Sequence, residues 1–123
     1  MMHRRRWCVV PITSAEYLAQ ALTQHVWCGC QGFSLDGYVY LNDSTSPDGA
    51  GEYAVLKPQA DGAFLQIESI TFSWCTQDQT LELIRKVSAG KFDADNYGTV
   101  RPKLESPQGH RCVIDAKHVG RST

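Results

Sequence analysis

Residues 32–42, with the sequence GFSLDGYVYLN, determine the first part of the fold. Two runs rich in aromatic and aliphatic residues are separated by exactly two residues, Asp36 and Gly37. An Asp-Gly pair in this position is the strongest short-range signal for a β-hairpin, because both central positions of a type I′ turn need positive φ. The sequence therefore predicts two antiparallel strands, from Gly32 to Leu35 and from Tyr38 to Asn42.

The residues before this hairpin predict a strand and a helix. Trp7 to Val10 is a short apolar run, and Pro11 ends it because proline cannot donate a ladder hydrogen bond. Thr13 and Glu16 have the spacing of a capping box, so we expect a helix to begin there and to end near Trp27. Apolar residues spaced three and four apart predict the buried face of this helix: Ala15, Leu18, Ala19, Leu22 and Val26.

The residues after the hairpin predict a second hairpin and a second helix. The two strands of this second hairpin run from about Glu52 to Lys57 and from Phe64 to Trp74. In the second strand Leu65 and Ile67 alternate in one phase, whereas Ile70 and Phe72 alternate in the other. Either a bulge near Glu68 and Ser69 or burial of the strand on both faces would explain this change of phase. Thr76 and Gln79 predict the capped start of a helix, which carries Leu81, Ile84, Val87 and Ser88 on one face and ends at Gly90.

The resulting order, β-α-β-β-β-β-α, predicts the α+β class: an antiparallel meander with two helices on one face and a C-terminal extension. We expect a single domain over residues 1–90. Residues 91–123 have no sustained hydrophobic period, and prolines and glycines interrupt them repeatedly. We interpret them as an arm that packs either on the body of its own chain or on a second subunit.

The amino-acid composition and the charge distribution restrict the classes of protein to which this chain can belong. The chain is 42% hydrophobic and 20% charged, as in ordinary globular domains, and has no apolar run near the ~20 residues of a membrane helix. We therefore expect neither a membrane span nor a signal peptide, and five cysteines without a secretion signal favour a reducing cytoplasm.

Residues 7–90 carry nine acids against three bases, whereas both ends are basic. An acidic body with basic ends favours ends that lie on the body of their own chain or of a second copy, rather than nucleic-acid binding.

The cysteines are the reactive groups of the sequence, and several interpretations stay open for them. His25, Cys28, Cys30 and Cys75 offer soft metal ligands, but their spacing matches no established zinc pattern, so packing in the core is the preferred interpretation. A disulfide between Cys28 and Cys30 would close a strained short loop. Cys75 precedes a predicted helix N-terminus, which favours a thiolate, and it is the candidate nucleophile with His25 as its candidate base. We predict no cofactor.

Aromatic side chains supply the candidate binding surface. Tyr38, Tyr40 and Tyr53 alternate with Val39, Leu41, Ala54 and Leu56, so the tyrosines share one face of the sheet. We expect the helices to leave this face open, and we prefer its pairing with a second copy of the chain to ligand binding. Trp27 and Trp74 mark a second candidate cleft.

These surfaces suggest binding rather than catalysis. We expect a homodimer that binds a small molecule or a protein partner at the sheet face or at the Trp27/Trp74 cleft. The alternative is an enzyme that uses Cys75 or a metal at Cys28 and Cys30.

Overall fold

The computed structural model describes residues 6–24, 32–42 and 52–105. Within these ranges the chain forms two α-helices and a mixed, curled sheet of seven strands, which belongs to the α+β class. Its elements are β1 (Arg6–Pro11), α1 (Ala15–Gln24), β2 (Gly32–Leu35), β3 (Tyr38–Asn42), β4 (Glu52–Pro58), β5 (Phe64–Thr71), α2 (Gln77–Ser88), β6 (Thr99–Val100) and β7 (Lys103–Glu105). Short 3₁₀ turns lie at Ala60–Gly62 and Phe72–Trp74.

The strands are ordered β6-β5-β4-β3-β2-β1-β7 across the sheet. From β2 to β6 each strand is antiparallel to the next, as the predicted meander requires. The prediction of a wholly antiparallel sheet is wrong for β1, which pairs parallel to both β2 and β7. The reason is α1, which lies between β1 and β2 in the chain, because a helical crossover returns the chain to the end from which the first strand started.

The hairpin of β2 and β3 has the predicted turn. Asp36 and Gly37 both have positive φ, 55° and 87°, as a type I′ turn requires. At the other end of β2, a Cβ on Gly32 would lie 2.7 Å from the Leu41 Cδ2 atom and 2.8 Å from the Tyr40 carbonyl oxygen. Only glycine allows the two strands to approach this closely.

An extra residue in β5 brings its two apolar phases onto one face. Val55 pairs with Glu68 but Leu56 pairs with Gln66, so Ile67 is the extra residue. Because a bulge reverses the alternation, Leu65 before it, Ile67 within it, and Ile70 and Phe72 after it all pack against the same core. The predicted bulge is thus confirmed, one residue earlier than expected.

Side chains cap both helices. In α1 the cap is Ser14 rather than the predicted Thr13, since the Tyr17 amide donates to Ser14 Oγ at 3.1 Å. The capping box of α2 is confirmed, with Gln79 N donating to Thr76 Oγ1 at 3.1 Å and Thr76 N donating to Gln79 Oε1 at 2.8 Å. The two helices lie against each other.

Both helices cover one face of the sheet, which we call the helix-covered face. Its fully buried members include Leu18, Leu22, Phe33, Val55, Ile67, Phe72 and Ile84. The opposite face, which we call the inner face, carries a second and smaller apolar cluster. Buried Val39, Leu41, Ala54 and Leu56 form its centre, and Trp7, Val9, Phe64, Val100 and Leu104 pack around them.

Residues 99–105, which we call the closing segment, join the two edges of the sheet. They comprise β6, which pairs with β5 at one edge, and β7, which pairs with β1 at the other. Six strand spacings in a flat sheet span ~29 Å. The three residue steps from Val100 to Lys103 reach roughly 11 Å at most. The sheet must therefore curl until its edges converge, with the inner face inside the curl.

Candidate ligand cavity on the inner face

The curled sheet encloses part of a cavity of about 310 Å³. Its walls come from five strands and from the linker between β6 and β7: Trp7, Leu41, Ala54, Leu56, Gln66, Val100, Arg101 and Pro102. Small-molecule sites are typically concave, roughly 300–1,000 Å³ in volume and mostly apolar, with a few placed polar groups. This cavity lies at the lower end of that range and has that composition.

Gln66 and Arg101 supply the polar side chains of the cavity wall. The Gln66 side-chain amide donates to the Glu68 carbonyl at 3.2 Å, and its backbone amide donates to the Gly98 carbonyl at 3.0 Å. The second bond ties β5 to the residue just before the closing segment. Gln66 is thereby fixed in the wall, with its side-chain oxygen available as an acceptor.

Arg101 is the one charged residue among the described residues that line the cavity. Its Nη2 atom lies 3.4 Å from Asp61 Oδ2, and both side chains are more than half exposed. The other Asp61 oxygen, Oδ1, accepts a hydrogen bond from the Ala63 amide at 3.2 Å. Asp61 also has a φ of 62°, an uncommon conformation for a residue with a Cβ. The 3₁₀ turn between β4 and β5 therefore places a carboxylate beside the guanidinium at the cavity wall.

The tyrosines proposed from the sequence share one face, but it is the helix-covered face rather than an open one. Tyr40 and Tyr53 are only 1% and 2% exposed, and both rings contact Phe72 at centroid distances of 6.4 and 6.0 Å. The expectation of an open tyrosine face fails because α1 and α2 pack on this side, so the face left for a ligand is the opposite one. Tyr38 is half-buried, with its ring edge-on to Phe92 at 5.9 Å.

Burial sets the protonation behaviour of both inner tyrosines. Desolvation raises the pKa of Tyr53 to about 12, although a hydrogen bond with the Asn42 side chain partly opposes this shift. Desolvation also raises the pKa of Tyr40, and the charges of Asp36 and Tyr38 add to the effect. Both phenols are therefore neutral core groups at physiological pH.

The second candidate cleft is only partly within the described chain. Trp74 is 83% exposed, in the 3₁₀ turn that precedes α2. Trp27 lies outside the described residues. A cleft between the two indoles therefore stays a prediction.

Of the candidate catalytic and metal-binding residues, Cys75 lies within the described part of the chain. Cys75 is a free, half-buried thiol next to the N-cap residue of α2, as predicted, and its Sγ lies 4.0 Å from the Thr71 carbonyl oxygen. His25, Cys28 and Cys30 lie outside the described residues. Over residues 6–24, 32–42 and 52–105 no group of three or more potential ligands converges on a metal position.

Cys8 in β1 is disulfide-bonded. The expectation of free thiols in a reducing compartment therefore does not fit Cys8, since disulfides persist mainly where conditions are oxidising.

Part of the expected arm packs on its own chain. Phe92 joins the core of the helix-covered face, and Val100 and Leu104 join the inner face. Tyr97, which lies between Phe92 and Val100, is 38% exposed. Residues 106–123 are outside the described ranges.

Comparison with protein-family models, with curated proteins and with solved structures finds no match for this chain. Neither helix in the described part of the chain is long and apolar enough to cross a membrane.

Proposed function

We propose that this chain is a binding protein that holds a small, mostly apolar molecule in the cavity on the inner face of its sheet. The observation that carries the proposal is the cavity itself, whose walls combine Trp7, Leu41 and Leu56 with two polar side chains. The indole and the leucine methyl groups offer a ligand apolar surface, and Gln66 and Arg101 can orient it.

The small size of Ala54 supports the same conclusion. Ala54 lies near the centre of the inner face, beside Leu41 and Leu56 in the cavity wall. A larger aliphatic side chain at this position would occupy part of the cavity. With alanine there, a bound molecule can make dispersion contacts with both leucine side chains.

The wall residues favour binding over catalysis. Catalysis by acid–base or nucleophilic chemistry needs groups such as a histidine, a carboxylate or a thiol at the reacting atoms. Among the described residues that line this cavity there is none, since their polar side chains are an amide and a guanidinium. An enzyme based on Cys75, assembly as a homodimer and a cytoplasmic location stay predictions.

A titration with the neutral fluorophore N-phenyl-1-naphthylamine tests the proposal. The wild-type chain should enhance its fluorescence saturably, with one site per chain. Ala54→Leu should fill the cavity and weaken binding at least tenfold, whereas Ala89→Leu, an exposed position at the end of α2, should bind as the wild type does. Thermal melts of both variants show whether each is folded. Equal affinity of the folded Ala54→Leu and wild-type chains would place the fluorophore elsewhere and contradict the proposal.

A further inference from the structure

We infer that the ligand of this cavity carries an anionic group, which binds the Arg101 guanidinium in place of Asp61. This inference rests on the proposed function and specifies its ligand class: an apolar body with a carboxylate, sulfonate or phosphate at one end. The apolar body would lie between Trp7 and Leu56, and the anion would lie where the closing segment forms the wall.

The charge of the wall is the first support. Among the described residues that line the cavity, Arg101 carries the one charge, and that charge is positive. Arginine presents planar N–H donors in a fork that matches the two oxygens of a carboxylate or phosphate. A neutral ligand would leave this group with its Asp61 contact alone, whereas an anionic ligand would pair with it directly.

The geometry of the present ion pair is the second support. Asp61 reaches Arg101 through one oxygen and one nitrogen at 3.4 Å, a long contact for a charge-assisted hydrogen bond. The other Asp61 oxygen is engaged by the Ala63 amide, so Asp61 cannot turn both oxygens toward the guanidinium without losing that bond. An exposed pair of this kind is weak, which makes Asp61 replaceable by a ligand that offers two oxygens.

The position of Asp61 is the third support. It lies in the turn between β4 and β5, and Arg101 lies in the linker of the closing segment. Their contact therefore links the turn to the wall of the cavity. A ligand anion that takes over Arg101 would release this link while occupying the same site, so binding and the loss of the Asp61 contact are coupled.

Two fluorophores that differ by one charged group provide the test. 8-Anilinonaphthalene-1-sulfonate has the skeleton of N-phenyl-1-naphthylamine with a sulfonate added. The measured quantity is the ratio of the two dissociation constants. A variant's effect on the apolar part of the site changes both constants by the same factor, so it cancels in this ratio. The wild-type chain should prefer the sulfonate, and Arg101→Gln should reduce this preference about fivefold or more.

Arg85→Gln is the matched control, since Arg85 is exposed to the same degree and also pairs with an acid, Glu16, but lies on α2. Its preference ratio should equal that of the wild type. Asp61→Asn should raise the preference, because it removes the competing charge; asparagine tolerates a positive φ and keeps an acceptor for the Ala63 amide.

The outcomes separate the inference from the proposed function. Saturable binding of both fluorophores with the same ratio in wild type and Arg101→Gln would overturn the inference and leave the cavity as a site for neutral ligands. A wild-type chain that binds neither fluorophore would overturn the proposed function and the inference with it.

Discussion

Val100 and Leu104 are four residues apart in the chain, yet they pair with opposite edges of the same sheet. Val100 lies opposite Phe64 in β5, and Leu104 lies opposite Trp7 in β1. Both side chains pack into the inner-face cluster. This short span is what forces the sheet to curl and gives the inner face its concave shape.

Leu104→Ala should weaken the closure of the sheet. Because Leu104 is half-buried, the expected loss in the free energy of unfolding is about 1–2 kcal/mol, less than for a fully buried leucine. Hydrogen exchange of the β1 amides should accelerate, since β7 pairs with β1. Tyr97→Ala, which removes an exposed side chain, serves as the control. Unchanged exchange in β1 for Leu104→Ala would show that β7 does not hold this edge.

Two buried tyrosines should respond oppositely to loss of their hydroxyl groups. The Tyr53 hydroxyl is hydrogen-bonded to the Asn42 side chain, which is itself buried, so Tyr53→Phe should cost about 1–3 kcal/mol. The Tyr40 hydroxyl is buried with no hydrogen-bond partner in the part of the chain that the structure describes. Tyr40→Phe should therefore leave stability unchanged or raise it by up to about 1 kcal/mol. Urea unfolding of both variants measures the difference, and equal losses would contradict this assignment of partners.

Stability should fall steeply in alkaline solution. The pKa values of Tyr40 and Tyr53 are raised in the folded chain above the ordinary value of 10.0. Above that value the unfolded chain has released these protons while the folded chain retains them. Each pH unit should therefore lower the free energy of unfolding by about 1.4 kcal/mol per tyrosine. The effect is absent below pH 10 and, for Tyr53, ends near its folded pKa of about 12.

Urea unfolding at pH values on either side of 10 measures this slope. Replacing both Tyr40 and Tyr53 with phenylalanine should remove most of it, whereas Tyr97→Phe should not. A double variant with the slope of the wild type would mean that other groups dominate alkaline unfolding.

Cys75 and Cys8 should differ in their reaction with iodoacetamide. Cys75 is a free thiol with partial exposure, so its peptide should be alkylated in the native protein. Cys8 is disulfide-bonded, so its peptide should be alkylated only after reduction and unfolding. Mass spectrometry of the digested protein measures both. Alkylation of Cys8 without a reductant would show that its disulfide does not form.

Local signals in the sequence predicted most of the fold correctly. The Asp36-Gly37 turn, the capping box at Thr76 and the bulge in β5 all depend on residues near each other in the chain, and all are confirmed. The parallel pairing of β1 with β7, which the closing segment makes possible, depends on residues distant in sequence. No local pattern encodes such pairings, because strand order is determined by the packing of the whole chain.

The candidate site shows the same division. Alternation correctly separated Tyr40 and Tyr53 from Leu41, Ala54 and Leu56, but it could not show which face the helices cover. The cavity walls also contain Gln66 and Arg101, which sequence analysis did not single out. Their role depends on the curl of the sheet, which brings β5 and the closing segment to one cavity.

Methyl NMR on chain labelled at leucine, isoleucine and valine tests the central claim most directly, with N-phenyl-1-naphthylamine as the ligand. We predict chemical-shift changes and intermolecular NOEs at the wall methyl groups of Leu41, Leu56 and Val100. The methyl groups of Ile84 and Val87, which α2 directs into the core of the helix-covered face, should show neither. Contacts confined to Ile84 and Val87, or no contacts at the three wall residues at saturating ligand, would contradict the claim that the inner face is the binding site.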